Sequence, residues 1–201
     1  NIILYFIYLQ KLNKDILFML KVKKGRLLIS EPDLNDSIFF KSVILLTHHN
    51  EEESIGLILN QPTKINLNEI LNDIPLSDFP VYIGGPVAKQ SLHFIHTLGK
   101  LIPESKKITD KIYFGGDFDT VIQLMHDKQI TKNQIRFFVG YSGWDREQLN
   151  NEIREDSWIV ENLKNNLCMN YSTPELWSNI IKTKKRRYAI WTNMPKDPNL
   201  N

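Results

Sequence analysis

Short apolar runs, each closed by a glycine, a proline or a charged turn, constrain the fold of this chain more than any other feature. Leu27 to Ile29 is followed by Pro32, and Val43 to Thr47 and Ile55 to Leu59 flank an acidic turn. Runs of this length are typical of β-strands, and the acidic turn suits an antiparallel hairpin. Ile135 to Tyr141 is rich in aromatic and β-branched residues, which predicts a strand buried on both faces.

Helix signals alternate with these strands. Phe118, Val121, Ile122 and Met125 recur at helical spacing after Asp117. Capping-box patterns predict a short helix after Asn66 and a longer one from about Arg146 to Arg154. Thr173-Pro174 predicts the start of a last helix. Further strands are predicted at Val81 to Ile83, Leu92 to His96 and Ile112 to Phe114, and a tight turn at Gly140 to Trp144.

The chain of 201 residues is long enough for one substantial core, and no repeat or linker divides it. Ile2 to Leu9 is apolar but too short to span a membrane, and its flanks are not those of a signal peptide. We interpret residues 1–18 as an N-terminal extension upstream of a start at Met19; the alternative is an amphipathic helix packed on the domain. Residues 19–201 are then one domain.

The charge balance, the single cysteine and the histidine spacing limit the partners, disulfides and metal sites that we expect for this chain. Lys plus Arg number 25 and Asp plus Glu 23, so the net charge of +2 predicts no strong global attraction to nucleic acid or lipid. The lone Cys168 cannot form an internal disulfide or a thiolate metal cage, which favours a reducing cytoplasm. His93 and His96 would point to opposite faces of a strand, so we expect neither a metal site nor a cofactor.

Two motifs resemble catalytic or phosphate-binding sequences without matching them. In Gly140-Tyr141-Ser142-Gly143-Trp144 the second glycine follows the serine directly, whereas a nucleophile elbow needs one more residue between them. Gly115-Gly116 precedes a predicted helix, but Asp117 and Asp119 would repel phosphate there. Gly84-Gly85-Pro86 has no nearby acid, so it is the better candidate for an anion or small ligand, or else a sharp turn.

Near the end of the sequence, cationic residues lie beside aromatic residues. Lys184 to Arg187 lies beside Tyr188 and Trp191, as in surfaces that bind single-stranded nucleic acid. A solvated helix end is the alternative interpretation, which the low net charge favours.

A candidate binding site follows from the ends of the predicted strands, because strand ends that face one way gather their loops at one sheet edge. Its residues supply backbone N–H groups, neutral amides and flat aromatic faces, which suit binding better than catalysis. The alternative is that Asn60 and His96 only satisfy buried backbone groups. The candidate ligand-binding residues are Asn60, Gln61, Gly84, Gly85, Pro86, His96, Tyr141, Gly143, Trp144 and Gln148.

Several motifs, taken in order, resemble the bacterial YqgE/AlgH family. They are Gly25 to Ser30, Asp36, Phe39, Ser42-Val43, His48, Gly56 to Pro62, Gly84 to Val87, Ile95-His96, Gly140 to Trp144, Gln148-Leu149, Trp158 and Pro195 to Asn201. The resemblance covers about residues 25–201, and residues 1–18 have no counterpart. Asn150 stands where the family usually has an acid, and Ser142 where it often has alanine.

The resemblance implies a cytoplasmic α/β protein of the α+β type, with a bulged, partly barrel-like mixed sheet surrounded by helices. It implies no activity, since the family has no established biochemical function and its transcriptional-regulator label is inherited. A non-catalytic module that binds a small molecule or a protein is the leading hypothesis. The alternatives are a regulator that acts on nucleic acid and, third, a hydrolase.

Overall fold

The computed structural model describes residues 22–34, 36–72, 74, 79–163, 167–169 and 175–183. The predicted N-terminal extension, the Thr173-Pro174 helix start and the Lys184 to Arg187 cluster lie outside these residues. The described strands are β1 (Arg26–Ser30), β2 (Val43–His49), β3 (Glu53–Ile58), β4 (Pro62–Asn66), β5 (Pro80–Ile83), β6 (Val87–His96), β7 (Lys106–Lys107), β8 (Tyr113–Phe114), β9 (Ile135–Asp145) and β10 (Trp158–Asn162). The α-helices are α1 (Phe118–His126), α2 (Gln148–Arg154) and α3 (Leu176–Lys182), and the 3-10 helices are Leu67–Glu69, Gly99–Leu101 and Leu167–Met169.

The described strands form a curled sheet in the order β10-β1-β2-β3-β9-β6-β8-β7, and β4 and β5 branch from it beside β9. Neighbours are antiparallel except β5 and β9, which run parallel from Val81 opposite Phe137 to Ile83 opposite Val139. The sheet is therefore mixed, as expected.

Bulges give the sheet its curl, because an extra residue bends a strand and increases its twist. The register shifts between Leu46 and His48 in β2 and between Val87 and Leu92 in β6. Long β9 pairs with β5 and β6 along its first half and with β3 along its second, so it is the central strand of the half-barrel.

Successive residues of the central strands enter different hydrophobic clusters, as the two-residue period of a strand requires. In β9, Phe138 packs in the cluster beneath α3, whereas Phe137 packs in the cluster beneath α1. In β2, Leu45 faces the α3 cluster and Ile44 faces a third cluster with α2. The predicted burial of the Ile135 to Tyr141 run on both faces is confirmed.

The α+β architecture predicted from the sequence is confirmed: a curled, mostly antiparallel half-barrel with three α-helices among the described residues. The predicted hairpin is β2 and β3, and the predicted helix after Asp117 is α1, with Asp117 Oδ2 accepting a hydrogen bond of 3.0 Å from the Thr120 amide. Helix α2 begins at Gln148, two residues later than predicted.

The predicted tight turn at Gly140 to Trp144 is wrong, because β9 continues through it to Asp145. Gly140 has a φ of 67°, so the strand bends there while Gly143 keeps pairing with Ile55 of β3. The glycine-rich run that suggested a turn is therefore a bent strand, and it still pairs with its neighbour β3.

Candidate functional site

A cavity of about 450 Å³ opens between β6, β8 and the first turn of α1. It lies where β6 loses its neighbour: Ile95 and His96 pair with β8, Gly115 N donates to Phe94 O, and the chain then turns away into α1. Its lining residues are Leu71, Leu92, His93, Phe94, Phe114, Gly115, Gly116 and Phe118.

The walls of this cavity are aromatic and carry no fixed charge. No Asp, Glu, Lys or Arg occurs among the lining residues that the structure describes. The His93 ring stacks on Phe114 with centroids 6.0 Å apart and meets Tyr141 edge-on at 5.7 Å. Burial lowers the pKa of His93 from its usual 6.5, so the ring is neutral at pH 7.

One polar atom of the His93 ring is unsatisfied within the described part of the chain. Its Nε2 is buried and has no hydrogen-bond partner among the described residues. A buried polar atom without a partner costs free energy.

Two glycines shape the cavity beside α1. Gly115 has a φ of 61°, and no described atom lies within 4 Å of a Cβ built on it, so its wall is open. A Cβ on Gly116 would lie 2.6 Å from Ser105 Oγ, so close packing requires glycine there. The Asp117 carboxylate caps α1, so the helix N-terminus beside this turn already holds a negative charge.

Asn60 and Gln61, two residues of the sequence-predicted site, hold the chain together. Asn60 Oδ1 accepts from the Val43 amide and its Nδ2 donates to Lys41 O, both at 2.8 Å. Gln61 Nε2 donates to Ile38 O at 2.8 Å. These contacts match the alternative that Asn60 satisfies buried backbone groups.

The structure brings Gly84 and Gly85 of the predicted site against β9. A Cβ on Gly84 would lie 2.2 Å from Gly140 O, and one on Gly85 would lie 2.2 Å from the carbonyl carbon of Tyr141. Only glycine allows the backbones to approach this closely. Pro86 follows at the start of the bulged β6, and Tyr141 links this group to the cavity through its contact with His93.

His96 lies at the other end of β9, opposite Ile135. At roughly 3.3 Å per residue it is about 16 Å along that strand from Gly140. The strands bearing these residues run in opposite directions, since β6 is antiparallel to β9 and β5 is parallel to it. His96, at the end of β6, therefore lies apart from Gly84, just after the end of β5.

The hydrogen bonds of His96 fix its tautomer. Leu98 N donates to Nδ1 at 3.2 Å, so Nε2 carries the hydrogen, with Gly115 O and Ser105 Oγ each at 3.0 Å. Ser105 Oγ donates to Ile102 O at 2.7 Å. His96 therefore has no free lone pair to take a proton from Ser105, and the pair is not a nucleophile and base.

Trp144 and Gln148 of the predicted site share one carboxylate. Trp144 is 3% exposed, and its Nε1 donates to Glu152 Oε2 at 2.8 Å. Trp158 Nε1 donates to the same oxygen at 2.7 Å, and Gln148 Nε2 donates to Oε1 at 2.9 Å. Gly143, which neighbours Trp144, pairs with Ile55. Trp144 packs in the cluster with α2.

Ser142 and the lone Cys168 are both buried. Ser142 is fully buried, and its hydroxyl donates to Gly84 O at 3.1 Å. Burial raises the pKa of Cys168 to about 11, so its thiol stays protonated at neutral pH. Within the described ranges, no three His, Cys, Asp or Glu side chains are close enough to hold a metal ion.

The sequence patterns at Gly115-Gly116 and at His93 were interpreted separately, and neither indicated that these residues line one cavity. The available signal was the aromatic residue on each side of the glycine pair, in Phe114-Gly115-Gly116-Asp117-Phe118. Leu71, from a separate segment, could be added only by the fold.

We expect the free energy of unfolding to fall as the pH decreases below about 6.5. Burial lowers the pKa of His49, His93 and His96 in the folded chain. Below about pH 6.5 the unfolded chain therefore binds more protons than the folded chain. Stability from this source is complete above 6.5 and is lost toward the folded pKa values. Urea unfolding at pH about 7.5 and about 5.5 measures it.

The variant His96→Asn is the control for this pH dependence, because it removes one of the three titrating rings. It should show a smaller difference between the two pH values, whatever its absolute stability. An equal difference, or higher stability of the wild type at the acidic pH, would contradict the assignment.

The chain matches the AlgH-like family over residues 27–189. It is 39% identical to the UPF0301 protein of Bacteroides fragilis over 179 residues, which cover 89% of this chain and 91% of that protein. It is 38% identical to the UPF0301 protein of Bacteroides thetaiotaomicron, with the same coverage.

Solved structures share the fold. The solution structure of the AlgH protein from Pseudomonas aeruginosa superposes with a TM-score of 0.68 at 22% identity, covering 86% of this chain and 94% of that one. The crystal structure of DIP2367 from Corynebacterium diphtheriae gives 0.64 at 18% identity, covering 86% and 93%. No helix in the described ranges is long and apolar enough to cross a bilayer. On the family match and the identity to the Bacteroides proteins, the chain belongs to the AlgH-like family.

Proposed function

We propose that the protein is a non-catalytic module that binds a small, uncharged aromatic ligand in the cavity between β6, β8 and α1. The observation that carries this proposal is the cavity itself, about 450 Å³ of space with aromatic walls. Ligand sites in proteins are commonly apolar clefts of roughly 300–1,000 Å³ with a few polar groups that orient the ligand.

The chemistry of the walls selects the ligand. A buried ion would find no countercharge among the lining residues, so the inserted part should be neutral. Phe94, Phe114 and Phe118 offer faces and edges for a flat ring. Neutral His93 is the one polar side chain among the described lining residues and offers a hydrogen bond, and the space beside Gly115 leaves room for the ring.

Three observations support binding rather than catalysis. Ser142 is buried and donates to a carbonyl, His96 is in the wrong tautomer to act as a base, and Cys168 is protonated. A lone cysteine also supports a reducing compartment, and we infer a cytoplasmic location. The sequence-based location around Gly84, Gly85 and Tyr141 stays a prediction.

Thermal unfolding with benzamide and with benzoate tests the proposal. The two have nearly the same shape, but only benzoate carries a charge. At ten times its dissociation constant, benzamide should stabilise the protein by about 1.4 kcal/mol. That corresponds to roughly 3–5 °C at this chain length. Benzoate at the same concentration should give a much smaller shift, because its carboxylate would be buried without a partner.

Matched variants connect the shift to the cavity. Leu92→Trp places an indole in the cavity wall and should remove the response to benzamide. Leu101→Trp makes the same change at a residue that is 52% exposed and outside the lining, and it should keep the response. The proposal is wrong if neither compound shifts the wild type or if Leu92→Trp responds as the wild type does.

A further inference from the structure

Two turns that are far apart in sequence touch at one surface. Gly25, in the turn before β1, packs against Thr109 in the turn between β7 and β8. A Cβ built on Gly25 would lie 2.9 Å from Thr109 Cγ2 and 3.4 Å from Ile108 O. The two turns therefore form one continuous surface.

Hydrogen bonds hold the two turns in place. In the first, Arg26 N donates to Lys23 O at 3.1 Å and Gly25 N donates to Leu46 O at 2.8 Å. In the second, Ile108 N donates to Ile112 O at 2.9 Å, and Thr109 Oγ1 accepts from the Ile112 amide at 3.2 Å. Side chains on these turns are presented from a fixed backbone.

The surface is strongly basic. Its cations, which define the basic surface, lie on the two turns and at the adjoining ends of β1 and β7: Lys23, Lys24, Arg26, Lys106, Lys107 and Lys111. The five lysines are exposed and Arg26 is half-buried. Asp110 is the carboxylate within these turns, and it lies 2.8 Å from Lys107 Nζ. Two further carboxylates lie nearby, since Glu104 precedes the second turn and Glu161 lies opposite Leu27. The cations outnumber these carboxylates and Asp110 together, so the surface keeps a net positive charge. This concentration contrasts with a net charge of +2 for the whole chain.

We propose that the basic surface binds the phosphate backbone of a nucleic acid without reading its base sequence. Lysines that contact phosphates release counterions, and this gives affinity that is independent of sequence. Docking to an anionic membrane would also need apolar side chains free to insert. The apolar residues of the second turn, Ile108 and Ile112, are 6% and 1% exposed and pack in the cluster beneath α3.

Fluorescence anisotropy of the full chain with a labelled DNA duplex of about 20 base pairs tests the proposal, with single-stranded RNA of the same length as a second probe. The wild type should bind both probes weakly and lose at least tenfold in affinity between about 50 mM and about 200 mM salt. Lys106→Gln/Lys107→Gln/Lys111→Gln should weaken binding at least tenfold. It should also reduce the slope of log affinity against log salt by about two to three, near one unit for each phosphate that is no longer neutralised.

A control with the same change in charge separates the surface from the net charge. Lys64→Gln/Lys89→Gln/Lys128→Gln removes three exposed lysines elsewhere and should keep affinity within about twofold. Lys23→Gln/Lys24→Gln, on the other turn, should weaken binding as well. The proposal is overturned if the wild type binds neither probe or if the control loses as much as the surface variant. It is also overturned if only phosphatidylglycerol vesicles, and neither nucleic acid, bind through these lysines.

Discussion

Replacing Arg136 with leucine should lower the free energy of unfolding by about 3–5 kcal/mol. Arg136 is fully buried on β9, and its guanidinium donates to Leu59 O at 2.8 Å and to Cys168 O at 2.6 Å. It also lies 4.0 Å from the centre of the Tyr82 ring. Leucine would fill part of the space but leave both buried carbonyls without these donors, each costing about 1–3 kcal/mol.

Two further variants define what Arg136 contributes. Arg136→Lys keeps the charge but not the planar fork, so it should lose most of the same stability. Arg154→Leu removes an arginine that donates at the surface to Asn151 Oδ1, and it should change stability by less than about 0.5 kcal/mol. Urea unfolding measures all three, and a loss below about 1 kcal/mol for Arg136→Leu would show that the two bonds contribute little.

Replacing Glu152 with alanine should cost about 2–4 kcal/mol and shift tryptophan emission to longer wavelength. One carboxylate oxygen accepts hydrogen bonds from both Trp144 and Trp158, which are 3% and 2% exposed. Without it, two buried indole N–H groups lose a charged acceptor. The rings meet edge-on at 5.9 Å, so loosening one disturbs the other.

The controls for Glu152 lie on the same segment. Glu152→Gln keeps one acceptor oxygen and should lose less than the alanine variant. Glu147→Ala removes an exposed carboxylate, 3.8 Å from Arg146, and should be nearly neutral. If Glu152→Ala and Glu147→Ala unfold at the same urea concentration, the shared carboxylate is not a stabilising feature.

Local patterns were sufficient to predict most of the strands and helices, whereas the barrel-like arrangement of the sheet was implied by the family resemblance. The acidic turn identified the β2–β3 hairpin, and helical spacing after Asp117 identified α1, since each depends on residues close in sequence. The course of β9 was not predictable in this way. The strand can bend at Gly140 because Gly84, which has no side chain, packs against it there. Gly84 and Gly140 are far apart in sequence, so local patterns do not reveal this contact.

The candidate site was harder to predict than the fold for the same reason. The predicted site grouped His96 with Gly84 because each follows or ends a strand, but β5 and β6 run in opposite directions beside β9, so these two ends lie apart. Phe118 was predicted on the apolar face of the helix after Asp117, and it packs with Phe94 in the α1 cluster. Only the departure of the chain at Gly115 leaves space beside them.

The most direct test of ligand binding in the cavity is a titration of the 15N-labelled protein with benzamide, followed by amide chemical shifts. We expect saturable changes centred on the amides of Leu92, Phe94, Gly115 and Gly116, which line the cavity. The amides of Gly84, Gly85 and Trp144 should change little. Saturable changes centred on Gly84 and Gly85 instead, or none that saturate anywhere, would contradict ligand binding in the cavity.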